Sequence, residues 1–208
     1  MHQLAFHSVS HRFSALAKAP LLNNVSQIFQ QPITLITGPN GSGKTTFLMI
    51  AAGLLIPTQG HVSFNQQPVT ALAQKANIGI SATKVALPAF YTAKELLQFH
   101  CDMFNCTLDT TWVDNLGLTP FLNSQIGELS LGNEKKLSLL TAILHQPQLL
   151  LLDEPFNGLD DASRAALLRF LQDFSGQLII ASHEPLQIAD RAICHIAISE
   201  LKHGADVS

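Results

Sequence analysis

"ITGPNGSGKTTFL", residues 36–48, crowds three glycines and a proline into six positions before a lysine and two threonines open an apolar, helix-like run. Glycine serves where the backbone takes a positive φ or comes close to a ligand, and the preceding "PITLIT" is a short, β-branched apolar run that reads as a buried strand. The loop therefore joins a strand to a helix. Gly38 and Gly43, with Lys44 and Thr45, match the phosphate-binding pattern G-x-x-x-x-G-K-[ST] residue for residue. Such a loop turns successive backbone N–H groups inward, and the helix that starts near Gly43 adds the positive end of its dipole. Gly38, Pro39, Asn40, Gly41, Ser42, Gly43, Lys44, Thr45 and Thr46 are thus expected to cradle an anion. Lys44 should reach the β- and γ-phosphates. The Thr45 hydroxyl should face a magnesium ion, a hard cation that prefers oxygen ligands.

Composition narrows the class. The 208 residues suffice for one domain of moderate size, or one core with a smaller insertion. A hydrophobic content of 47% and a mean hydropathy of +0.22 are high for a water-soluble chain. Yet no window approaches the roughly 18 uninterrupted apolar residues of a membrane helix. The start, "MHQLAFHSVSHRF", lacks the basic head and apolar core of a signal peptide. A cytoplasmic protein with apolar surface is the expectation. The net charge of −3 provides no basic field to recruit nucleic acid. Cys101, Cys106 and Cys194 form no CxxC pair and read as reduced packing residues. The nine histidines are scattered, and "HEPLQ" at residues 183–187 carries Gln187 where a zinc-binding H-E-x-x-H needs histidine, with Pro185 interrupting. Zinc is not expected.

Five short apolar runs recur with helix-like segments between them: "PITLIT", "NIGIS", "QLLLLD", "QLIIAS" and "AICHIAIS". Runs that are apolar at consecutive positions suit parallel strands covered on both faces. The predicted fold is therefore α/β with a mostly parallel sheet. "LAFHSVSH", "NNVSQIF" and "GHVSFN" are polar-interrupted and predict a small antiparallel β-layer on the phosphate-loop side. Between them and the later strands, "TAKELLQFHCDMF" and "TTWVDNLGL" show helical spacing, so residues 84–131 are expected to form a helical subdomain inserted into a nucleotide-binding core of residues 1–83 and 132–208.

"QLLLLDE", residues 148–154, is an apolar strand ending in two carboxylates, and in open parallel sheets ligands gather beyond the carboxyl ends of the strands. Successive strand residues point to opposite sides. Asp153 is therefore expected to serve magnesium, and Glu154 to polarise the attacking water. A second acid favours hydrolysis over a switch, because phosphoryl transfer needs a positioned nucleophile as well as charge neutralisation. "PFNGLD" follows, with Pro155 ending the strand, Asn157 and Gly158 making a turn, and Asp160 opening the helix "ASRAALLRFLQDF". His183 ends the strand "QLIIASH" on the same edge, where a histidine is usually structural and a hydrogen bond to a γ-phosphate is the second reading. Ser130 and Gly132 precede a long amphipathic helix, read with its lysines exposed, and make a second potential anion site.

Taken in order, these residues resemble the ATP-binding cassette (ABC) ATPases over nearly the whole chain. The matching motifs are a Walker A loop at 38–45, a signature "LSLGN" at 129–133, a Walker B strand ending in Asp153 and Glu154, a D-loop "NGLD" at 157–160 and a switch histidine, His183. The resemblance implies a P-loop NTPase fold, Mg2+-dependent ATP hydrolysis with Glu154 and His183 catalytic, and metal contacts from Thr45 and Asp153. It also implies a head-to-tail homodimer in which Ser130, Gly132 and Asp160 close over the partner's ATP. The signature departs from LSGGQ at Leu131 and Asn133, and Thr83 or Lys84 stands where the family's Q-loop glutamine is expected. Phe13 is the candidate for stacking adenine, with His11 second. The family further implies integral membrane transporter subunits as partners and a peripheral position on the cytoplasmic face of the cell membrane. "LLDEPFNGLD" and "SHEPLQIAD" look similar to the haem-exporting ATPases of cytochrome c maturation. A soluble ABC ATPase acting on DNA or ribosomes is the alternative, and a P-loop kinase a more distant one. The apolar stretch around Val85, Leu87, Pro88, Phe90 and Tyr91 is expected to dock the membrane subunit.

Overall fold

The computed structural model describes residues 2–13, 20–188 and 190–202. The elements run β1 (Leu4–His11), β2 (Leu22–Phe29), β3 (Ile33–Thr37), α1 (Lys44–Ala51), β4 (Gln59–Phe64), β5 (Gln67–Pro68), α2 (Leu72–Lys75), β6 (Ile78–Ser81), α3 (Ala93–Phe104), α4 (Thr110–Asn115), α5 (Leu131–Ile143), β7 (Leu149–Asp153), α6 (Asp161–Asp173), β8 (Gln177–Ala181), β9 (Cys194–Ala197) and α7 (Ile198–Lys202). The five apolar runs are the five strands of one parallel sheet, ordered β6-β7-β8-β3-β9. The polar-interrupted runs form the antiparallel sheet β2-β1-β4-β5.

The absence of alternation in the parallel strands has a visible cause. Leu150, Leu152, Leu178 and Ile180 pack into a core with α3, α4, α5 and α6, while Leu149, Leu151, Ile179 and Ala181 pack the other way. That second core is shared with α1, α7 and the antiparallel layer, where Phe6 stacks on Phe47 with ring centroids 4.5 Å apart. Both faces of β7 and β8 are out of water, so residues 149–152 and 178–181 are apolar without alternation.

Helix α3 starts in a capping box: the Thr92 hydroxyl accepts from the Glu95 amide, and the Glu95 carboxylate accepts from the Thr92 amide. It buries Ala93, Leu96, Leu97 and Cys101 and leaves Phe99 and Met103 exposed. Asp109 caps α4 through the Thr111 amide at 2.9 Å. The three cysteines are free, and burial pushes the Cys101 thiol up to about 11, which suits a packing role.

One expectation is overturned in α5, whose lysines are not displayed to solvent. Lys136 is buried and ion-paired with Asp160, and Lys135 donates to the Asp153 carbonyl oxygen at 2.7 Å. Each ammonium is drawn inward by an acceptor supplied by the segment after β7 or by its last residue, a pairing that helical periodicity cannot register.

Candidate functional site

Strands β3, β7 and β8 are adjacent and parallel, so the loop after Thr37, the acids after Leu152 and the polar residues after Ala181 leave the sheet on one edge. Gly38 and Gly43 fix the loop. Gly38 has φ +152°, and a Cβ there would lie 2.5 Å from Ile198 of α7. Gly43, with φ +102°, is the residue before the first turn of α1, a left-handed conformation that costs glycine little. Between them the Ser42 amide donates to the Pro39 carbonyl at 3.2 Å, closing a tight turn.

Lys44 is folded back inside this loop. Its side chain is only 6% exposed, and its ammonium donates to the Gly38 carbonyl at 2.7 Å and stands 3.5 Å from the Glu154 carboxylate. The Thr45 hydroxyl donates to the Asp153 carboxylate at 2.6 Å. Burial raises the Asp153 carboxyl pKa, opposed by that hydrogen bond and by the Lys135 charge. Burial likewise brings Lys135 down to about 8, against the pull of Asp153 and Glu154.

Glu154 carries the other half of the network. One carboxylate oxygen accepts from the His183 amide at 3.1 Å; the second accepts from the Ser182 hydroxyl at 3.2 Å and lies 2.9 Å from His183 Nδ1. The strand-alternation argument for Asp153 and Glu154 does not hold. β7 ends at Asp153, and Glu154 turns into the left-handed region at φ +44°. Both carboxylates therefore line the same cleft.

That cleft, about 390 Å³, is bounded by residues 40–46, Asp153, Glu154, Thr83, Lys84 and Phe13. A hydroxyl and a carboxylate at hydrogen-bond distance form a hard-oxygen donor pair suited to Mg2+. The Ser42 hydroxyl is buried without a hydrogen-bond partner among the described residues and faces a loop built for an anion. The donor set thus fits both phosphate and magnesium. Phe13 is 64% exposed at the cleft, edge-on to His11 and 5.5 Å from the Lys84 ammonium. His11 is 6% exposed, so its ring has no open face for a base and that candidate falls away.

Ser130, Gly132 and Asp160 lie outside this cleft. The Ser130 hydroxyl accepts from the Asn133 amide at 3.2 Å and caps α5. Gly132 lies against the Gly158 carbonyl, which a Cβ would approach to 2.8 Å. Asp160 caps α6 through the Ser163 amide, and its carboxyl is held far below the ordinary range, first by Lys136. Leu131 between them is 86% exposed. Sequence reasoning missed Lys135 and Ser182, because a lysine two residues past the signature and a serine beside His183 carry no motif of their own.

Of the docking stretch, Phe90 is 73% exposed. Val85, Leu87, Pro88 and Tyr91 are half-buried, with Tyr91 between a tilted Phe90 and a stacked Phe99. Leu87 lines a second, apolar cleft of about 270 Å³ beneath α3, with Ile78, Ile80, Phe99, Met103 and a histidine pair. No helix among the described residues is long and apolar enough to cross a membrane.

The ABC transporter family model matches residues 22–157. The molybdenum import ATP-binding protein ModC of Saccharophagus degradans is 35% identical over 186 residues, 83% of this chain and 51% of ModC, so the chain spans about half the length of that relative. The uncharacterized ABC transporter ATP-binding protein YybJ of Bacillus subtilis is 29% identical over 91% of this chain and 89% of its own length. A solved dimeric bacterial ABC transporter cassette, 19% identical, superposes with a TM-score of 0.75 over 96% of this chain and 97% of that one, a likeness of fold. The P-loop, the paired acids and the matching family model together make this chain a member of the ABC transporter ATP-binding subunits, a family that binds and hydrolyses ATP.

Proposed function

We propose that the chain binds Mg-ATP through the 38–46 loop and hydrolyses it with Glu154 as the base that orients water and His183 as the residue that holds Glu154. The observation that carries this reading is the convergence of Thr45–Asp153 and Lys44–Glu154 on one cleft, with His183 behind Glu154. Lys44 would exchange its loop carbonyls for phosphate oxygens. Thr45 and Asp153 would hold Mg2+, which supplies charge neutralisation on the phosphates when bound. Glu154, fixed by the Ser182 hydroxyl and the His183 amide and ring, keeps its carboxylate at the cleft to accept a proton from water.

The dimer belongs to the same reading. Ser130, Gly132 and Asp160 stand away from the cleft of their own chain, with Leu131 exposed between them, which supports their meeting the nucleotide of a second copy. The helical segment 84–131 acts as a subdomain whose apolar cleft receives a helix of a separate integral membrane subunit, and the chain sits peripherally on the cytoplasmic face of the membrane. No nucleic-acid partner is proposed. As cargo we propose haem leaving the cell interior for cytochrome c maturation. This rests on the likeness of "LLDEPFNGLD" and "SHEPLQIAD". ModC, named for molybdenum import, defines the competing class.

Glu154→Gln tests the chemistry. We expect the turnover rate to fall about 10²- to 10⁴-fold, the range for a lost general base, with ATP affinity unchanged and a nucleotide-dependent dimer accumulating in light scattering. Parent-like turnover would remove Glu154 from its role. Haem-stimulated ATPase activity in the complex copurified with its membrane subunits tests the cargo; stimulation by molybdate or sulfate instead would overturn it.

A further inference from the structure

A third cleft opens at the opposite end of the parallel sheet from the nucleotide edge, where β7 and β8 begin. Its volume is about 740 Å³, and it is bounded by residues preceding β7 and β8, by the last turns of α5 and α6 and by the start of α4. This size is within the usual range of small-molecule sites. Nothing in the nucleotide chemistry uses it.

The walls are specific in kind. Trp112 meets Phe170 edge-on with centroids 5.1 Å apart, and Phe170 leans on Phe174 at 5.5 Å, so three half-buried rings form one aromatic side. Gly176 permits this arrangement, since a Cβ there would come within 2.6 Å of the Phe174 ring. Asp109 and Asp173 add two carboxylates at the cleft, and its lining includes no lysine or arginine among the described residues; its other titratable side chain is His2, whose ring stacks on Phe64. Asp173 makes no ion pair with the described residues, and Asp109 spends one oxygen on the Thr111 amide. The α5 end, which also lines the cleft, has no basic residue in its last turn to offset its carbonyl dipoles. The α6 end is already served by Arg191, which donates to the Leu171 and Phe174 carbonyls at 2.7 and 2.8 Å. The unbalanced negative character therefore comes from the two carboxylates and α5. Ring faces carry negative quadrupole density and attract cations, most strongly when those cations are weakly hydrated.

We propose that this cleft binds a small organic cation of the quaternary or alkylammonium class, with Trp112 and Phe170 against its alkyl groups and Asp109 and Asp173 balancing its charge. Charge complementarity selects a cation over a neutral apolar guest. The site joins the α4 region to the ends of α5 and α6, and the inference does not depend on how ATP is used.

The chain's one tryptophan, Trp112, supplies the readout. The full chain would be titrated with choline chloride at constant ionic strength while tryptophan fluorescence is followed, with potassium chloride as the blank and 3,3-dimethyl-1-butanol as the uncharged isostere. We expect a saturable change with a millimolar Kd for choline and at least tenfold weaker binding of the isostere, about 1.4 kcal/mol by the usual conversion. Asp173→Asn, a surface change that leaves packing intact, should weaken choline about fivefold, and Phe170→Ala more. Equal binding of the neutral isostere would reduce the cleft to an apolar cavity and overturn the proposal. So would an absence of saturation, or a choline affinity unchanged in Asp173→Asn.

Discussion

The nucleotide cleft and the cleft beneath α3 both bury titratable groups, and they treat them in opposite ways. At the nucleotide edge each buried charge has a partner: Lys44 faces Glu154 and two loop carbonyls, and Asp153 takes a hydrogen bond from Thr45 with Lys135 near by. Beneath α3, His100 and His145 share one hydrogen bond, 3.1 Å between Nε2 and Nδ1, amid Phe104, Ile78 and Leu96. Burial, with the His145 ring disfavouring charge beside it, brings His100 down to about 4, and burial lowers His145 too. Burial with a counter-charge preserves ionisation for chemistry; burial without one leaves the histidine pair neutral among apolar side chains.

The largest expected effect comes from removing the one cation inside the phosphate loop. Lys44→Ala should weaken Mg-ATP binding on the order of a hundredfold or more in calorimetry, because hydrogen bonds to charged groups each contribute about 1.5–3 kcal/mol. It also strips Glu154 of its buried partner, so the fold should be checked by circular dichroism. Unchanged affinity would end the phosphate-loop assignment and, with it, the contrast between the two clefts.

Phe90→Glu acts beside the other cleft, which Phe90 does not line but reaches through its contact with Tyr91 and that of Tyr91 with Phe99. A carboxylate placed against an apolar helix has no counter-charge and is costly to bury, so capture of the membrane subunit should drop at least about tenfold while ATP affinity holds. A variant that loses its fold would mean that Phe90 covers core, although its 73% exposure argues for a free ring. Normal assembly would move the docking surface elsewhere.

The two clefts also differ in how much of them could be read before the chain was folded. Residues 36–48 announce the loop because its function requires glycines and a lysine at fixed spacing within one segment, and the five apolar runs announce a parallel sheet because both its faces are covered. The pairing of His100 with His145 joins residues 45 apart, on α3 and just beyond α5, and neither position carries a local signal. Lys135 and Lys136 looked like solvated helix charges since periodicity records only which face is apolar. Glu154 looked like a strand residue because a positive φ at a glutamate leaves no trace in composition.

The smallest effect tests the neutral histidines directly. In the chain that fits both distances, His100 Nε2–H donates to His145 Nδ1 and His145 Nε2–H donates to the Ile78 carbonyl, 3.3 Å away. Lys75 of α2 also lines this cleft, its ammonium held by the Ala52 and Gly53 carbonyls. The folded His100 pKa of about 4 lies below the 6.5 of a free imidazole, so the unfolded chain binds the extra proton and unfolding takes up protons between those values. Stability contributed by the neutral ring is complete above pH 6.5 and is lost as pH falls toward 4. Allowing for partial solvent exposure, the loss should amount to about 1–2 kcal/mol. His100→Gln keeps a donor for His145 but cannot titrate. Urea midpoints measured at pH 7 and pH 5 should therefore fall further in the parent than in this variant. An equal fall in both would show that the acid sensitivity arises elsewhere and that the α3 cleft does not hold its histidines neutral.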